Sequence, residues 1–452
     1  MPPESSPALW PVRVAALGPV AMASTLWRWQ GRLYVTAIAK ASFAFSLDDE
    51  MSCVVPQPVR RSDECARGVP SLRAASELAP QLRDVDVTLH GHAYAPPGST
   101  QCRVRLALER DGRLMLDKVL FVYGNRKRNR PDPAPFERMR IGYERAYGGI
   151  SFPDNPIGVG ADPQNDTLPN VLHPTDPWGR AAGFGAIPFR FPARRKRRGK
   201  VDQAVIESGI ADYPPDFDWG YFQAAPEDQR LPALRGDEWL VLEGLHPSYA
   251  LIRTRLPSPK AVVRVYSRKS VGAPDTVPVV ADTLHIEADE ARCSVLWRGS
   301  FPIASELAAE QLVLGGALEL RHYPVTFPAT IDEIETVASP GVDTAALKGR
   351  ADEDLQRTAE TDDKARGKRV PPAPPSSWAL GAVAAAAGGE GAAPGPRGQG
   401  SELAGLAHTR ALGGDSSPAQ GVPGGSAEAD AWSSTTFFTD VQAMPPPDPK
   451  RK

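Results

Sequence analysis

A two-residue alternation of side-chain character recurs in short runs along the chain, and only extended backbone accommodates it. Leu33, Val35, Ala37 and Ala39 alternate with Tyr34, Thr36, Ile38 and Lys40, and the run continues through Phe43 and Phe45. Over 84–94, Val85, Val87, Leu89 and Gly91 alternate with Asp86, Thr88, His90 and His92. Cys102, Val104, Leu106 and Leu108 form a third run, Asp111-Gly112 is a hairpin turn, and 114–123 returns. Residues 84–123 therefore read as a β-meander with one wetter face. Runs at 260–267, 277–287, 292–297 and 316–325 are read as further strands, with a short helix over 304–312. Successive side chains on a strand point to opposite faces, so repeated alternation with few helical runs predicts a mainly β fold. The expectation is antiparallel sheets in a sandwich-like arrangement.

Between the runs lie long irregular stretches. The segment 48–71 is polar and is read as a loop. Over 124–215 the periodicity vanishes and prolines and glycines recur, yet Trp, Tyr, Phe and Asn are plentiful. That composition points to ordered insertion loops rather than a flexible tail. Residues 216–247 are the densest stretch, DFDWGYFQAAPEDQRLPALRGDEWLVLEGLHP. Phe217, Trp219, Tyr221 and Phe222 are clustered there with seven carboxylates and with Arg230 and Arg235. Only 239–242 reads as a strand, and the rest as a loop tied down by aromatics and ion pairs.

The chain has 452 residues, enough for two or three domains, and 41% hydrophobic residues, enough for a core. We expect a β-rich domain over 10–335. It divides into sub-sheets near 10–123 and 240–335 with a loop-rich insertion at 124–239. A charged linker with helical character follows over 336–368. The segment 369–427 is dominated by Pro, Ala, Gly and Ser and is expected to be a disordered linker. The last part, 428–452, carries Trp432, Phe437, Phe438 and Val441 and reads either as a short binding motif on a tether or as an idle tail end. The 52 basic and 54 acidic residues nearly balance, so no overall charge favours nucleic acid or an anionic membrane. Residues 1–10 lack the pattern of a signal peptide, and no run approaches the roughly 20 apolar residues of a membrane helix, so a cytoplasmic location is expected. Cys53, Cys65, Cys102 and Cys293 form no C-x-x-C pair and read as lone thiols.

Several constellations invite chemistry, and each has a plainer reading. His90 and His92 share a spacing that can ligate a metal, but also suit the wetter face of a sheet. The acids of 216–247 resemble a glycosidase pair flanked by aromatics, but Arg230 and Arg235 stand ready as ion-pair partners. The basic runs 126–130 and 194–200 suit phosphate contact or solvated loops. No nucleophile elbow or P-loop is present. The expectation is no catalytic, metal or cofactor site. Tyr143, Arg145, Tyr147, Trp219, Tyr221, Phe222, Arg235, Trp239, Phe437 and Phe438 are the residue types that dominate protein interfaces and are the candidates for partner contact. Packing of the loops is the competing role.

Four stretches carry a resemblance: 29–45 (WQGRLYVTAIAKASFAF), 143–160 (YERAYGGISFPDNPIGVG), 183–188 (GFGAIP) and 216–247. They resemble a domain-of-unknown-function family encoded in bacterial type VI secretion clusters beside spike proteins, PAAR-type tip proteins and effectors. The resemblance covers roughly 10–327. It implies an effector chaperone or adaptor that binds a toxin, or its PAAR-like or N-terminal domain, and helps mount it on the spike. It brings no catalytic residues. The alternatives are a carbohydrate-active or other hydrolase using the acids of 216–247, and a nucleic-acid-binding accessory using the two basic runs.

Overall fold

The computed structural model describes residues 11–268, 273–321 and 325–338. All of them fall in the first of two compact units, Met1–Pro374. The second unit, Pro375–Lys452, lies outside the described residues, as do all but 336–338 of the linkers expected at 336–368 and 369–427, and the tail with Phe437 and Phe438.

In chain order the longer strands are β1 (Arg13–Leu17), β2 (Ala21–Trp29), β3 (Arg32–Ala44), β4 (Val85–His90), β5 (Gln101–Arg110), β6 (Arg113–Tyr123), β7 (Trp239–Glu243), β8 (Leu251–Arg255), β9 (Lys260–Ser267), β10 (Val280–Glu287), β11 (Arg292–Ile303) and β12 (Leu312–Glu319). Short helices follow the pattern α1 (Pro192–Arg198), α2 (Gln203–Ser208), α3 (Glu306–Glu310) and α4 (Ile331–Ala338). The mainly β, sandwich-like expectation holds.

Three sheets organise the described residues. The largest has the order Ile210–Tyr213, β2, β3, β11, β10, β4, Arg230–Leu231, with Ser52–Val54 also pairing with β3. A six-stranded sheet runs Val171–Leu172, β6, β5, β7, β8, Asp49–Glu50, and a four-stranded sheet runs β1, β12, β9, Asp275–Val277. Most pairs are antiparallel, but β1 with β12 and β4 with β10 are parallel. Strands from both ends of the chain share sheets: β3 pairs with β11 from Arg292↔Ala44 to Ile303↔Leu33. The inner faces meet in one core. Val35, Ala37, Phe43, Val87, Leu89, Leu106, Leu120, Leu242, Ile286 and Val295 all belong to it.

The structure corrects several local expectations. Residues 84–123 are not a meander: β4 lies in the largest sheet beside β10, whereas the β5–β6 hairpin lies in the six-stranded sheet. The run 84–94 also breaks at Gly91, where an added Cβ would meet the Ala288 Cβ at 3.0 Å. His92–Tyr94 then pairs with Arg138–Arg140, so His90 and His92 do not share a strand. The strand expected at 316–325 begins earlier, at Leu312, and β11 runs on past Trp297 to Ile303. The segment 48–71 contains the short strands Asp49–Glu50, Ser52–Val54 and Glu64–Cys65. The basic run at 194–200 is mostly helical, in α1. Proline at the start of α1 suits its first turn, and Gly199 ends it at φ +62°.

The face expected to be wetter is in fact covered. The outward side chains of the largest sheet include Thr36, Lys40 and Ser42 from β3, Asp86 and Thr88 from β4, His285 and Glu287 from β10, and Ser294 and Arg298 from β11. All are buried. The segment 57–82 lies across them as a strap. Lys40 Nζ donates to Glu77 Oε1 at 2.6 Å and to the Pro58 carbonyl at 3.1 Å. Thr36 and Ser300 hydroxyls donate to the Pro80 carbonyl, and Arg298 donates to the Glu77 carbonyl. Gln57 and Arg73 reach Glu287. Polar residues can line a dry face because the strap supplies their hydrogen bonds in place of water.

Candidate functional site

The dense stretch 216–247 is mainly a clamp. Asp86 on β4 accepts from the backbone N–H of Ala224 and Ala225 and from Gln223 Nε2. Gln229 donates to the carbonyls of Val87 and Phe184 at 2.8 and 2.9 Å. Lys118 on β6 donates to Asp228 Oδ1 and Gln229 Oε1, both at 2.8 Å. Burial pulls the Lys118 ammonium down to about 8, against the opposing charge of Asp228. The clamp thus joins β4 of the largest sheet to β6 of the six-stranded one.

Most acids of the stretch have structural partners. Asp218 caps the turn Trp219–Phe222 by accepting from the Gly220 N–H, Glu243 pairs with Arg105, and Asp228 holds Lys118. Glu238 is fully buried and accepts from the backbone N–H groups of Arg235 and Gly236 at 2.8 and 2.7 Å. Arg110 lies 3.3 Å from it. Asp216 and Glu227 are exposed. This arrangement favours the structural reading of these acids over a catalytic pair.

Glu238 also sets the shape of an open site. By gripping two successive N–H groups it fixes the turn Pro232–Gly236, in which Gly236 takes φ +92°. A Cβ there would sit 3.1 Å from the Pro259 ring, and Ser258 N–H donates to the Gly236 carbonyl at 2.7 Å. The turn is therefore locked against the segment entering β9. Between this turn, residues 82–85 and the start of β10 opens a cleft of about 500 Å³. That is the size range of binding pockets. Leu82, Leu234, Val279 and Trp297 contribute apolar walls. Arg83, Arg235 and Lys260 line it with exposed side chains. None of these three cations has a carboxylate within 4 Å among the described residues. Asp84 and Asp282 also line the cleft, and Asp282 is neutralised by Arg298. Burial pushes the Asp282 carboxyl up to about 6 even beside that guanidinium. The cleft can hold apolar groups at its walls and anionic groups at its rim.

The other candidates for contact are distributed differently. Tyr143 is buried, its hydroxyl donating to the Gly185 carbonyl, with Phe191 edge-on. Arg145 donates to Asn170 Oδ1 at 3.1 Å. Tyr147 packs against Phe152 and Trp178. These residues belong to a knot around Asn155, whose amide donates to the carbonyls of Tyr143 and Tyr147. Trp219, Tyr221 and Phe222 sit with Trp27, Tyr213 and Phe217 in a separate aromatic cluster that anchors the clamp to the β2–β3 hairpin. Trp239 lies under the Arg253 guanidinium, 3.8 Å from the ring centre, in a row of ion pairs across the six-stranded sheet. Arg235 alone of the described candidates reaches the cleft. Arg83, Lys260 and Val279 escaped the sequence reading, since nothing local marks them and three distant segments bring them together.

Several residues of the basic runs, and His92, are engaged as well. Arg194 is buried and donates to the carbonyls of Tyr221 and Ile187, and Arg128 bonds the carbonyls of Gly160 and Asn165. His92 pairs with Asp289 at 2.6 Å, and burial takes His90 down to about 4. Among the described residues no group of three or more His, Cys, Asp or Glu is placed to hold a metal.

A family model matches residues 30–298, more than half of the chain. The chain belongs to the DUF2169 family of uncharacterised proteins conserved in bacteria. No curated protein and no solved structure matches it. The DUF2169 match spans the strap, the clamp and every residue named in the cleft, whereas β1, β12 and α4 lie outside it. No helix among the described residues is long and apolar enough to cross a membrane.

Proposed function

We propose that this DUF2169 protein is a non-enzymatic adaptor that acts as an effector chaperone of type VI secretion in the bacterial cytoplasm. It binds a toxin, or the toxin's PAAR-like or N-terminal domain, stabilises it and helps load it on the spike. The secretion role rests on the resemblance of 29–45, 143–160, 183–188 and 216–247. The observation that carries the binding role is the cleft, an apolar groove with three cations that have no carboxylate within 4 Å among the described residues, its wall set by the buried Glu238. The acids of 216–247 support a non-catalytic reading, because their main partners are backbone N–H groups and cations.

The test is recovery of neighbouring gene products by the tagged full-length protein from cells that co-express them. The expected outcome is one effector or PAAR-type protein retained by the wild type and lost from an Arg83→Glu/Arg235→Glu/Lys260→Glu variant that still folds. A version ending near residue 343 separates this surface from the tail with Phe437 and Phe438. Retention of nothing by the wild type would end the adaptor reading.

A further inference from the structure

We propose that the cleft takes an extended, acidic segment of the partner protein as an added strand on the free edge of Val280–Asp282. This deepens the adaptor reading and rests on it. β10 pairs with β11 along its whole length, from Val280↔Arg298 to Glu287↔Arg292. On its other side β4 joins only from Thr283↔Asp86 onward. The first three residues of β10 therefore have no strand on that side among the described residues, and all three line the cleft. Val280 is 66% exposed.

An unpaired strand edge presents N–H and C=O groups that add a further strand readily. The facing wall does not fill the gap. It is built from the turn Pro232–Gly236 and from Pro259, and proline has no N–H to offer a ladder. The register shift between Ala281 and Thr283 turns the Asp282 carboxylate to Arg298, which leaves the mouth to Arg83, Arg235 and Lys260. Against these stands Asp84, so the rim is net positive. Alternate side chains of an entering strand would face Leu234, Val279 and Trp297 on one side and the cations on the other. That pattern selects a peptide with apolar residues at every second position and Asp or Glu between them. A nucleic-acid strand fits less well, because the walls are aliphatic and a phosphate backbone would face Asp84.

The test uses the full chain as bait for a library of random dodecapeptides, in parallel with the Arg83→Glu/Arg235→Glu/Lys260→Glu variant and with Val280→Glu. Both variants change exposed side chains, and a thermal melt confirms that they fold. The wild type is expected to enrich alternating apolar–acidic peptides. An enriched peptide should bind each variant at least about tenfold more weakly. Hydrogen exchange with that peptide bound should protect the amides of 280–282. No enrichment, enrichment of peptides without acids, equal binding to the variants, or protection elsewhere would each overturn the proposal. Cleft-dependent capture of a single-stranded oligonucleotide in place of peptides would do so too. If a partner protein is recovered in the co-expression test while the cleft binds no peptide, the adaptor reading stands and this one falls.

Discussion

Glu77→Gln is expected to damage the protein far more than Lys40→Met, although the two side chains share one ion pair. Lys40 sits in the middle of β3 with no exposure at all, and its Nζ lies 2.6 Å from Glu77 Oε1. The Arg60 guanidinium, 6% exposed, lies 2.7 Å from the same oxygen, and the Arg60 N–H donates to the other oxygen at 2.7 Å. Burial lowers the Lys40 ammonium from its ordinary value, and the Glu77 charge is the largest influence holding it up. Glu77→Gln removes the only carboxylate within salt-bridge reach of Lys40 among the described residues. Breaking a buried pair from one side costs about 3–5 kcal/mol, because the other charge stays buried and uncompensated. Lys40→Met removes the charge with its desolvation cost, keeps similar volume in the layer, and leaves Glu77 neutralised by Arg60. Its expected cost is about 1–2 kcal/mol, mostly from the Pro58 carbonyl left without its donor. The double variant should recover at least about 2 kcal/mol relative to Glu77→Gln alone. Urea unfolding followed by tryptophan fluorescence measures all three, and hydrogen exchange of 57–82 reports whether the strap opens first. If Glu77→Gln costs under about 1 kcal/mol, or Lys40→Met costs as much, the strap is not held by this buried charge and the account of the covered face is wrong.

Other expectations follow from the same layer and from the clamp. Lys118 has a folded pKa of about 8, below its unfolded 10.5, so the unfolded chain binds more protons between these values and stability gains as pH rises through that window. The gain approaches about 3 kcal/mol and should be absent from Lys118→Met in urea titrations at pH 7.5 and 10.5. Asp86→Ala strands three donors of the clamp, from Gln223, Ala224 and Ala225, and should cost about 3 kcal/mol while raising proteolysis at 216–235. Gly148→Ala places a Cβ 2.2 Å from the Asn155 carbonyl oxygen and 2.8 Å from its side chain, so the knot must open. A loss of about 3 kcal/mol is expected by thermal or urea melts, whereas Gly112→Ala, with open space but φ +72°, should cost about 1 kcal/mol from backbone strain alone.

Strands were legible wherever one face is apolar, because alternation reports which side chains share a face. Leu33 to Phe45 and the Asp111-Gly112 hairpin needed nothing more. Alternation does not report which strand lies next door, so the parallel partnership of β4 with β10 was out of reach and a local meander took its place. Nor does it distinguish a polar face in water from one under a strap. Thr88 and His285 look the same in either setting, and only Lys40, the one charge between Leu33 and Phe45, hinted at a buried charge. Arg235 could be singled out from the density of signals around it. The residues it meets in the cleft come from 83, 260 and 279, and each is ordinary in its own neighbourhood.

The pairing of β3 with β11 also sets a schedule. About 250 residues of chain separate Ala44 from Arg292, which face each other in the finished sheet. At ribosomal rates of about 5–20 residues per second, the N-terminal strands wait about 12–50 s before the neighbour that completes their sheet has been made. Throughout that interval the β2–β3 hairpin has only the short strands Ser52–Val54 and Ile210–Tyr213 to pair with, and the long edge that β11 will cover stays open. Such a hairpin is marginal alone. A protein proposed to stabilise others would thus spend its own synthesis in need of stabilising, and its yield in cells should depend on ribosome-bound holdases more steeply than its final stability would suggest.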